Sequence, residues 1–438
     1  CHVPGMKFNE SLMVAAIFVS CASTLTADDW PRWFGPEGDG VWREDGILSE
    51  FPSAGPKVLW RSPIGPGYCG PAVVGDRVYV LDRQSQDRRT GNDRVLCFDA
   101  KTGELVWNHD YASVYEASYP AGPRATPTVN GDRVYTLGTE GQLFCFKRDN
   151  GEVIWSKEYK RDFGARSPTW GFAAAPLVDG DLLITLPGPA IALNKNTGEE
   201  VWRALPPHEP GYCAPRIIAY GDNRQLLIWR PDGVYALDVK SGKVVWEIPW
   251  ELRAGLSIPT PRVSEDGKQL FLTAFYNGSL MLGLKADGSK PNIQWRTAQP
   301  SEKRTTHLNS IMSTPVLADG HIYGVCSYGQ FRCLKMDSGE RVWENLQIAT
   351  GGKELRWGNV FITPHEPSGR YFLFNEMGDL LVGNLTPNGF EEQTRAHLLE
   401  PNGIDLRQRP IVWSHPAYAD SKCFVRNDTE IICVDLAE

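Results

Sequence analysis

No stretch of this 438-residue chain supplies the roughly 20 consecutive apolar residues that a membrane-spanning helix needs. Basic runs are missing too: Lys and Arg are scattered through a chain of net charge −8, so there is no footprint for a nucleic-acid backbone and nucleic acid is not an expected partner. No C-x-x-C-H occurs, which removes the usual attachment site of a covalent haem. "HEPGYC" (208–213) and "HEPSG" (365–369) lack the second histidine of a helical H-E-x-x-H, and neither G-x-S-x-G nor a phosphate-binding loop is present. Apolar residues at three- and four-residue spacing over ten or more positions are also wanting, so a helical solenoid is excluded.

What the chain does have is 43 glycines, 32 prolines and 42% hydrophobic residues without a low-complexity tract, the make-up of many short strands joined by turns. One phrase recurs: "AKTGELVW" (100–107), "RDNGEVIW" (148–155), "KNTGEEVW" (195–202), "VKSGKVVW" (239–246) and "MDSGERVW" (336–343). The tryptophans of this series are Trp60, Trp107, Trp155, Trp202, Trp246, Trp295 and Trp343, spaced 47, 48, 47, 44, 49 and 48 residues apart. A period in the forties marks a repeat array, which escapes the size limit of a single core because each unit packs only on its neighbours.

One unit, "PTVNGDRVYTLGTEGQLFCFKRDNGEVIW" (127–155), holds four short β-runs separated by "NGD", "TEGQ" and "RDNGE", which is one propeller blade. Opening prolines at Pro71, Pro127, Pro176, Pro215, Pro261, Pro315, Pro364 and Pro416 count eight units, the seventh without its tryptophan. The last unit stops before its tryptophan strand, while "GPKVLWRSPIG" (55–65) is such a strand with no unit before it. The chain is therefore expected to be all-β: a single eight-bladed propeller of four-stranded antiparallel blades over 55–438, closed by pairing the N-terminal strand with the C-terminal blade, which leaves no open sheet edge at the seam. A monomer is expected.

Ten residues before each of five of these tryptophans stands a small side chain, Cys97, Cys145, Ala192, Ala236 or Cys333, against which an indole can lie. "CFDAKTGELVW" (97–107) and "ALDVKSGKVVW" (236–246) closely resemble the tryptophan-docking motif of the PQQ-like repeat superfamily, and the resemblance covers residues 55–438. That superfamily includes quinoprotein alcohol dehydrogenases and also the cofactor-free propeller lipoprotein of the outer-membrane β-barrel assembly machinery, so the likeness implies a fold without choosing a function. A quinoprotein dehydrogenase would bring an adjacent cysteine pair, a Ca²⁺ site of Glu, Asn and Asp, and an Asp base. None of the 10 cysteines is adjacent to another. Glu116, Asp162, Glu209 and Asp405 fall in inter-blade loops and are taken as solvated charges, with no catalytic residue and no metal ligand assigned.

From Met6 the chain has a lysine, an apolar stretch from Leu12 to Val19 and then small residues, the layout of a secretory signal peptide over 1–27. Residues 1–5 are read as an upstream mis-start, the mature chain begins near Asp28, and export to the periplasm or cell envelope is expected. "FVSC" (18–21) departs from a lipoprotein box at Phe18, so peripheral membrane association would follow only if Cys21 were acylated. Residues 28–54, with "DDWPRWFGPEGDGVW" (28–42), form a lead-in expected to cap the ring. Cys326 and Cys333 flank the short hairpin "CSYGQFRC", and the spacing leaves a disulfide between them open.

Propellers recruit ligands at the channel mouth. The connections from an outer strand to the next inner strand share one face here, and the unusual ones carry Arg166, Trp170, His307, Asn309, Arg356, Trp357 and Asn359 as candidate ligand- or partner-binding residues, the alternative being that they plug the channel and satisfy buried backbone. Two readings stand. The missing cysteine pair favours an exported non-catalytic propeller that binds a protein or small ligand on this face, with no cofactor; the alternative is a divergent quinoprotein oxidoreductase using PQQ with Ca²⁺.

Overall fold

The computed structural model describes residues 28–117 and 122–438. The signal-peptide and Cys21 readings fall on residues 1–27, outside the described residues. Alternating short apolar runs and glycine turns fold into eight four-stranded antiparallel sheets. Blade 1 comprises Ala72–Val74, Arg77–Ser85, Thr90–Asp99 and Leu105–Val114 in that order from the axis outward. Blades 2 to 7 follow in the same order, opening with Thr128–Asn130, Leu177–Asp179, Arg216–Tyr220, Arg262–Val263, Val316–Ala318 and Val360–His365. Blade 8 takes three strands from the C-terminal end, Ala417–Ala419, Lys422–Arg426 and Glu430–Asp435, and its outermost strand, Val58–Pro63, from the N-terminal side, with Trp60 opposite Cys433. The seam pairing expected from the sequence is thus present. Seven of the eight prolines directly precede an inner strand; Pro364 instead lies inside its strand, because blade 7 lengthens that strand to His365 and uses its end to hold the lead-in.

The recurring phrase has a single geometry. In blade 1 the Asp99 carboxylate accepts hydrogen bonds from the Lys101 and Thr102 amides, both at 2.9 Å, which closes the turn and leaves Gly103 at φ +73°. A bulge then lets Trp107 face Cys97 while Val106 is passed over, and the same register shift precedes the tryptophan in the other blades. All but one of these indoles reach forward to the next blade's turn. Trp107 Nε1 donates to the Arg148 carbonyl at 2.9 Å, Trp155 to Lys195 at 3.0 Å, Trp202 to Val239 at 3.1 Å, and Trp60 to Ala100 at 2.8 Å. The turn glycine lies flat on that ring: a Cβ on Gly151 would stand 2.5 Å from Trp107, and one on Gly242 2.6 Å from Trp202. Trp246 departs from the pattern by donating to Gln225 in its own blade, and the Gln225 amide donates onward to the Gly288 carbonyl of blade 5. Trp60, Trp107, Trp202 and Trp246 are buried, whereas Trp155, Trp295 and Trp343 are half-buried.

Blade 7 has Thr394 where a tryptophan would stand, opposite Val382. The lead-in makes up the loss. Trp42, pinned to blade 7 by backbone bonds with Pro364 and Glu366, stacks on Tyr418 of blade 8 at 4.8 Å and meets Phe372 of blade 7 edge-on at 5.1 Å. The Phe51 amide donates to Thr394 Oγ1 at 3.0 Å, and Leu48 is tied to Leu436. Earlier in the lead-in, Trp30 pairs with Val73 of blade 1, and Trp33 and Phe34 pass beneath the channel against His415. The eight described cysteines are all free, so Cys326 and Cys333 are not bridged; Cys333 instead faces Trp343 across its sheet.

An aromatic cavity at the mouth of the channel

The connections that lead from outer to inner strands converge around a cavity of about 440 Å³. Their sequences explain its character: they enter the channel at blade junctions, where short loops can turn a large ring inward only if their backbone is held by neighbours. "GYCGP" and "GYCAP" do this identically. The Tyr68 and Cys69 amides both donate to the Pro123 carbonyl, and the Tyr212 and Cys213 amides both donate to the Ser257 carbonyl. Tyr68 and Tyr212 line the cavity with Trp170, Phe275, Tyr276, Trp357 and Trp413, and Trp33 of the lead-in also lines it. Trp170 meets Tyr212 edge-on at 5.7 Å.

Two arginines supply the charge. Arg124 lies over the Tyr68 ring at 5.0 Å, and Arg356 lies over Trp357 at 4.8 Å and Phe275 at 5.4 Å, a cation on the negative faces of aromatic rings. Arg356 is anchored by Tyr276 Oη at 3.1 Å and by Glu302. Trp357 sits at φ +67°, a left-handed conformation that a bulky side chain rarely adopts, held by its amide donating to the Ser327 carbonyl at 2.8 Å. Burial pushes the Tyr68 and Tyr212 phenols well above their ordinary values, so both stay neutral donors. His415, buried among Trp33, Phe34 and Phe361, has its pKa pushed down to about 4 by desolvation and donates from Nδ1 to the Pro416 carbonyl as a neutral ring.

Of the seven residues picked from the sequence, Trp170, Arg356 and Trp357 line this cavity. The others do not. Arg166 is exposed, and His307 stacks on Trp295 at 5.4 Å, on the flank of the ring. Asn309 is buried and donates to the carbonyls of Phe275 and Ser301, so it holds the cavity wall from behind; Asn359 is buried as well. Asp405, taken from the sequence as a solvated loop charge, is 1% exposed. It accepts from the amides of Arg407 and Arg409 and from the Arg409 side chain, because the insertion at 398–415 folds over it to bring Leu406 and Trp413 to the mouth. The sequence reading missed Tyr68, Arg124, Tyr212, Phe275, Tyr276 and Trp413. The doubled "GYC" at 67–69 and 211–213 was the available signal.

A family model described as outer membrane protein assembly factor BamB matches residues 44–122 and 91–345. The chain belongs to this family of PQQ-like propellers. The outer membrane protein assembly factor BamB of Yersinia pestis is 22% identical over 418 residues, covering 91% of this chain and 83% of that protein. That of Moranella endobia (strain PCIT) is 27% identical over 210 residues, so the match spans 44% of this chain and about half, 49%, of the relative. Among solved structures, BamB from Moraxella catarrhalis superposes with a TM-score of 0.55 at 16% identity over 86% of this chain and 97% of its own. A quinohemoprotein alcohol dehydrogenase from Comamonas testosteroni gives a TM-score of 0.63 at 11% identity over 94% and 81%. At these identities the two structures establish the shared propeller fold and nothing about chemistry.

The likeness in fold to a quinohemoprotein alcohol dehydrogenase raises the question whether this cavity suits a quinone with calcium. Its flat aromatic walls would accept a planar ring. Its ligand chemistry does not fit the metal: calcium takes six to eight oxygen ligands, commonly carboxylates, and no Asp or Glu lines the cavity. Among the described residues no three His, Cys, Asp or Glu gather in a metal-holding group.

Proposed function

We propose that this protein is an exported, non-catalytic propeller of the cell envelope that receives a partner at the channel mouth, in the service of outer-membrane protein assembly. The observation that carries the reading is a cavity rich in aromatic rings and two arginines with no carboxylate to act as base or metal ligand. Such a surface recognises apolar and aromatic groups with a nearby negative charge, which is what binding, rather than proton transfer, requires. The family description supports the cellular setting.

The test has two arms. In cells carrying the gene, Trp170→Ala and Trp357→Ala, at unchanged protein level, are expected to lower the amount of assembled outer-membrane β-barrel protein. Purified protein mixed with PQQ and Ca²⁺ is expected to give no bound-cofactor absorbance and no dye-linked turnover. Saturable cofactor binding with turnover lost in Trp170→Ala would overturn the proposal in favour of a quinoprotein oxidoreductase.

A further inference from the structure

On the side of the ring crossed by the lead-in, a second cavity of about 280 Å³ lies between the lead-in and the first strands of blades 3 and 4. Its charged lining is Arg32, Glu37, Asp179, Arg216 and Arg224. Arg224 and Asp179 form a two-bond ion pair and cancel. Glu37 is exposed at the rim.

Among the described residues Arg32 donates to the carbonyls of Gly35 at 3.3 Å and Pro36 at 2.8 Å. Arg216 donates to the Pro261 carbonyl at 2.7 Å, and its Nε is buried without a hydrogen-bond partner among the described residues. Arg262, 9% exposed, stands behind them and donates to the Asp39 carbonyl. The Asp39 carboxylate itself is taken by Arg43 at 2.6 Å. Of the other fully buried arginines, Arg83 has Asp93, Arg230 has Asp232 and Arg332 has Glu344, while Arg426 spends its donors on the carbonyls of Leu81, Gly65 and Asn427. Among the described residues Arg32, Arg216 and Arg262 have none within ion-pair distance; Glu37, Asp179 and Asp39 act on Arg32, and Asp39 on the other two, only from farther away. Burial lowers the pKa of all three, and repulsion from Arg216 adds to the effect at Arg262, which falls to about 9.

Positive charge gathered out of water without a paired carboxylate is costly, and its cost is relieved by an anion that brings several acceptor oxygens. Guanidinium groups match phosphate and carboxylate oxygens by paired N–H donors. We propose that this cavity is a binding site for a small oxyanion of the phosphate or short dicarboxylate class, held between Arg32 and Arg216 with Arg262 behind them. The ion bridges the lead-in, which carries Arg32, to blade 4, which carries Arg216. Its binding therefore clamps the lead-in to the ring, and because Trp33, Ala175 and Ala214 line both cavities, the clamp borders the aromatic one.

The experiment is calorimetric titration of inorganic phosphate, and separately of succinate, into the purified mature chain in phosphate-free buffer at constant ionic strength. Saturable binding of either ion at one site is expected, with a concentration-dependent rise in melting temperature. Arg216→Gln should weaken the binding at least about tenfold, as expected for loss of a charge-assisted donor. Lys303→Gln together with Arg304→Gln, in the basic pocket between blades 5 and 6, should leave it unchanged. If Arg216→Gln does not fold, Arg32→Gln on the lead-in serves in its place. The proposal falls if the wild-type chain shows no saturable heat up to about 10 mM of either ion, if Arg216→Gln or its substitute binds as tightly as wild type, or if the Lys303 and Arg304 variant abolishes binding.

Discussion

Replacing Gly242 by alanine tests whether the repeated glycine serves the turn or the neighbouring tryptophan. Gly242 has φ +70°, and an added Cβ would lie 2.6 Å from Trp202 Cε3 and 2.8 Å from Cδ2. Gly131 offers the control: its φ is +61°, and a Cβ there would meet nothing within 4 Å. Both substitutions incur the left-handed backbone penalty of about 1–2 kcal/mol. Gly242→Ala adds the overpacking of a rigid indole, about 1–3 kcal/mol, for a total of about 2–5 kcal/mol. The ring cannot retreat freely, because Trp202 is 8% exposed and its Nε1 is tied to the Val239 carbonyl at 3.1 Å. Urea unfolding followed by tryptophan fluorescence should give a lower midpoint for Gly242→Ala than for Gly131→Ala. Introducing Trp202→Phe alongside Gly242→Ala should return part of the loss, with a coupling of about 0.5–3 kcal/mol expected of residues in contact. Equal midpoints for the two alanine variants would refute the idea that the glycine is demanded by the indole.

Trp202→Ala should cost about 3–5 kcal/mol, the usual range for a buried aromatic, and half-buried Trp155→Ala clearly less; equal losses in denaturant titration would contradict the burial difference. His415 titrates near 4 in the fold and near 6.5 when unfolded, so the unfolded chain binds the extra proton between those values and stability falls as pH drops through that window, by about 3 kcal/mol in full. An imidazole NMR titration should find His415 neutral down to about pH 4, and His415→Gln should flatten this part of the stability profile. Arg356→Ala should loosen Trp357, whose strained backbone loses its cationic cover; a fall in Trp357 amide protection against hydrogen exchange checks this, and unchanged protection would contradict it.

The ring was legible because its rules are local and repeated: the Asp99 turn, Gly103, the bulge at Val106 and Trp107 lie within nine residues, and the spelling returns in blade after blade. The seam could be inferred because the surplus strand at Trp60 and the deficit after Asp435 had the same missing partner. The cavity was less legible. Choosing loops for unusual residues found Trp170, Arg356 and Trp357, but Arg166, in the connection that carries Trp170, is exposed and His307, in the connection before blade 6, stacks on Trp295, since sequence position within an irregular connection does not fix side-chain direction. Asp405 was misjudged for a related reason: its partner amides at Arg407 and Arg409 are close in sequence, yet nothing in the composition signals that the insertion folds over it. The three arginines gathered at the second cavity come from the lead-in and from two different blades, so only the folded ring brings them together.

The threonine at position 394 makes the propeller a split washer rather than a uniform ring. Six joints are fastened by a tryptophan reaching into the next blade's turn, directly or through Gln225, and the seam is fastened by Trp60; the joint between blades 7 and 8 is fastened by Trp42, borrowed from a segment more than 300 residues upstream of Phe372 and Tyr418. A clasp that distant in the chain, like the Trp60 strand at the seam, closes late in folding, since its loop-closure cost exceeds that of a neighbouring blade. Pulling the lead-in away would take the indole out of that one joint while the other joints keep theirs. Any partner or ion that grips the lead-in therefore holds the catch of the whole ring.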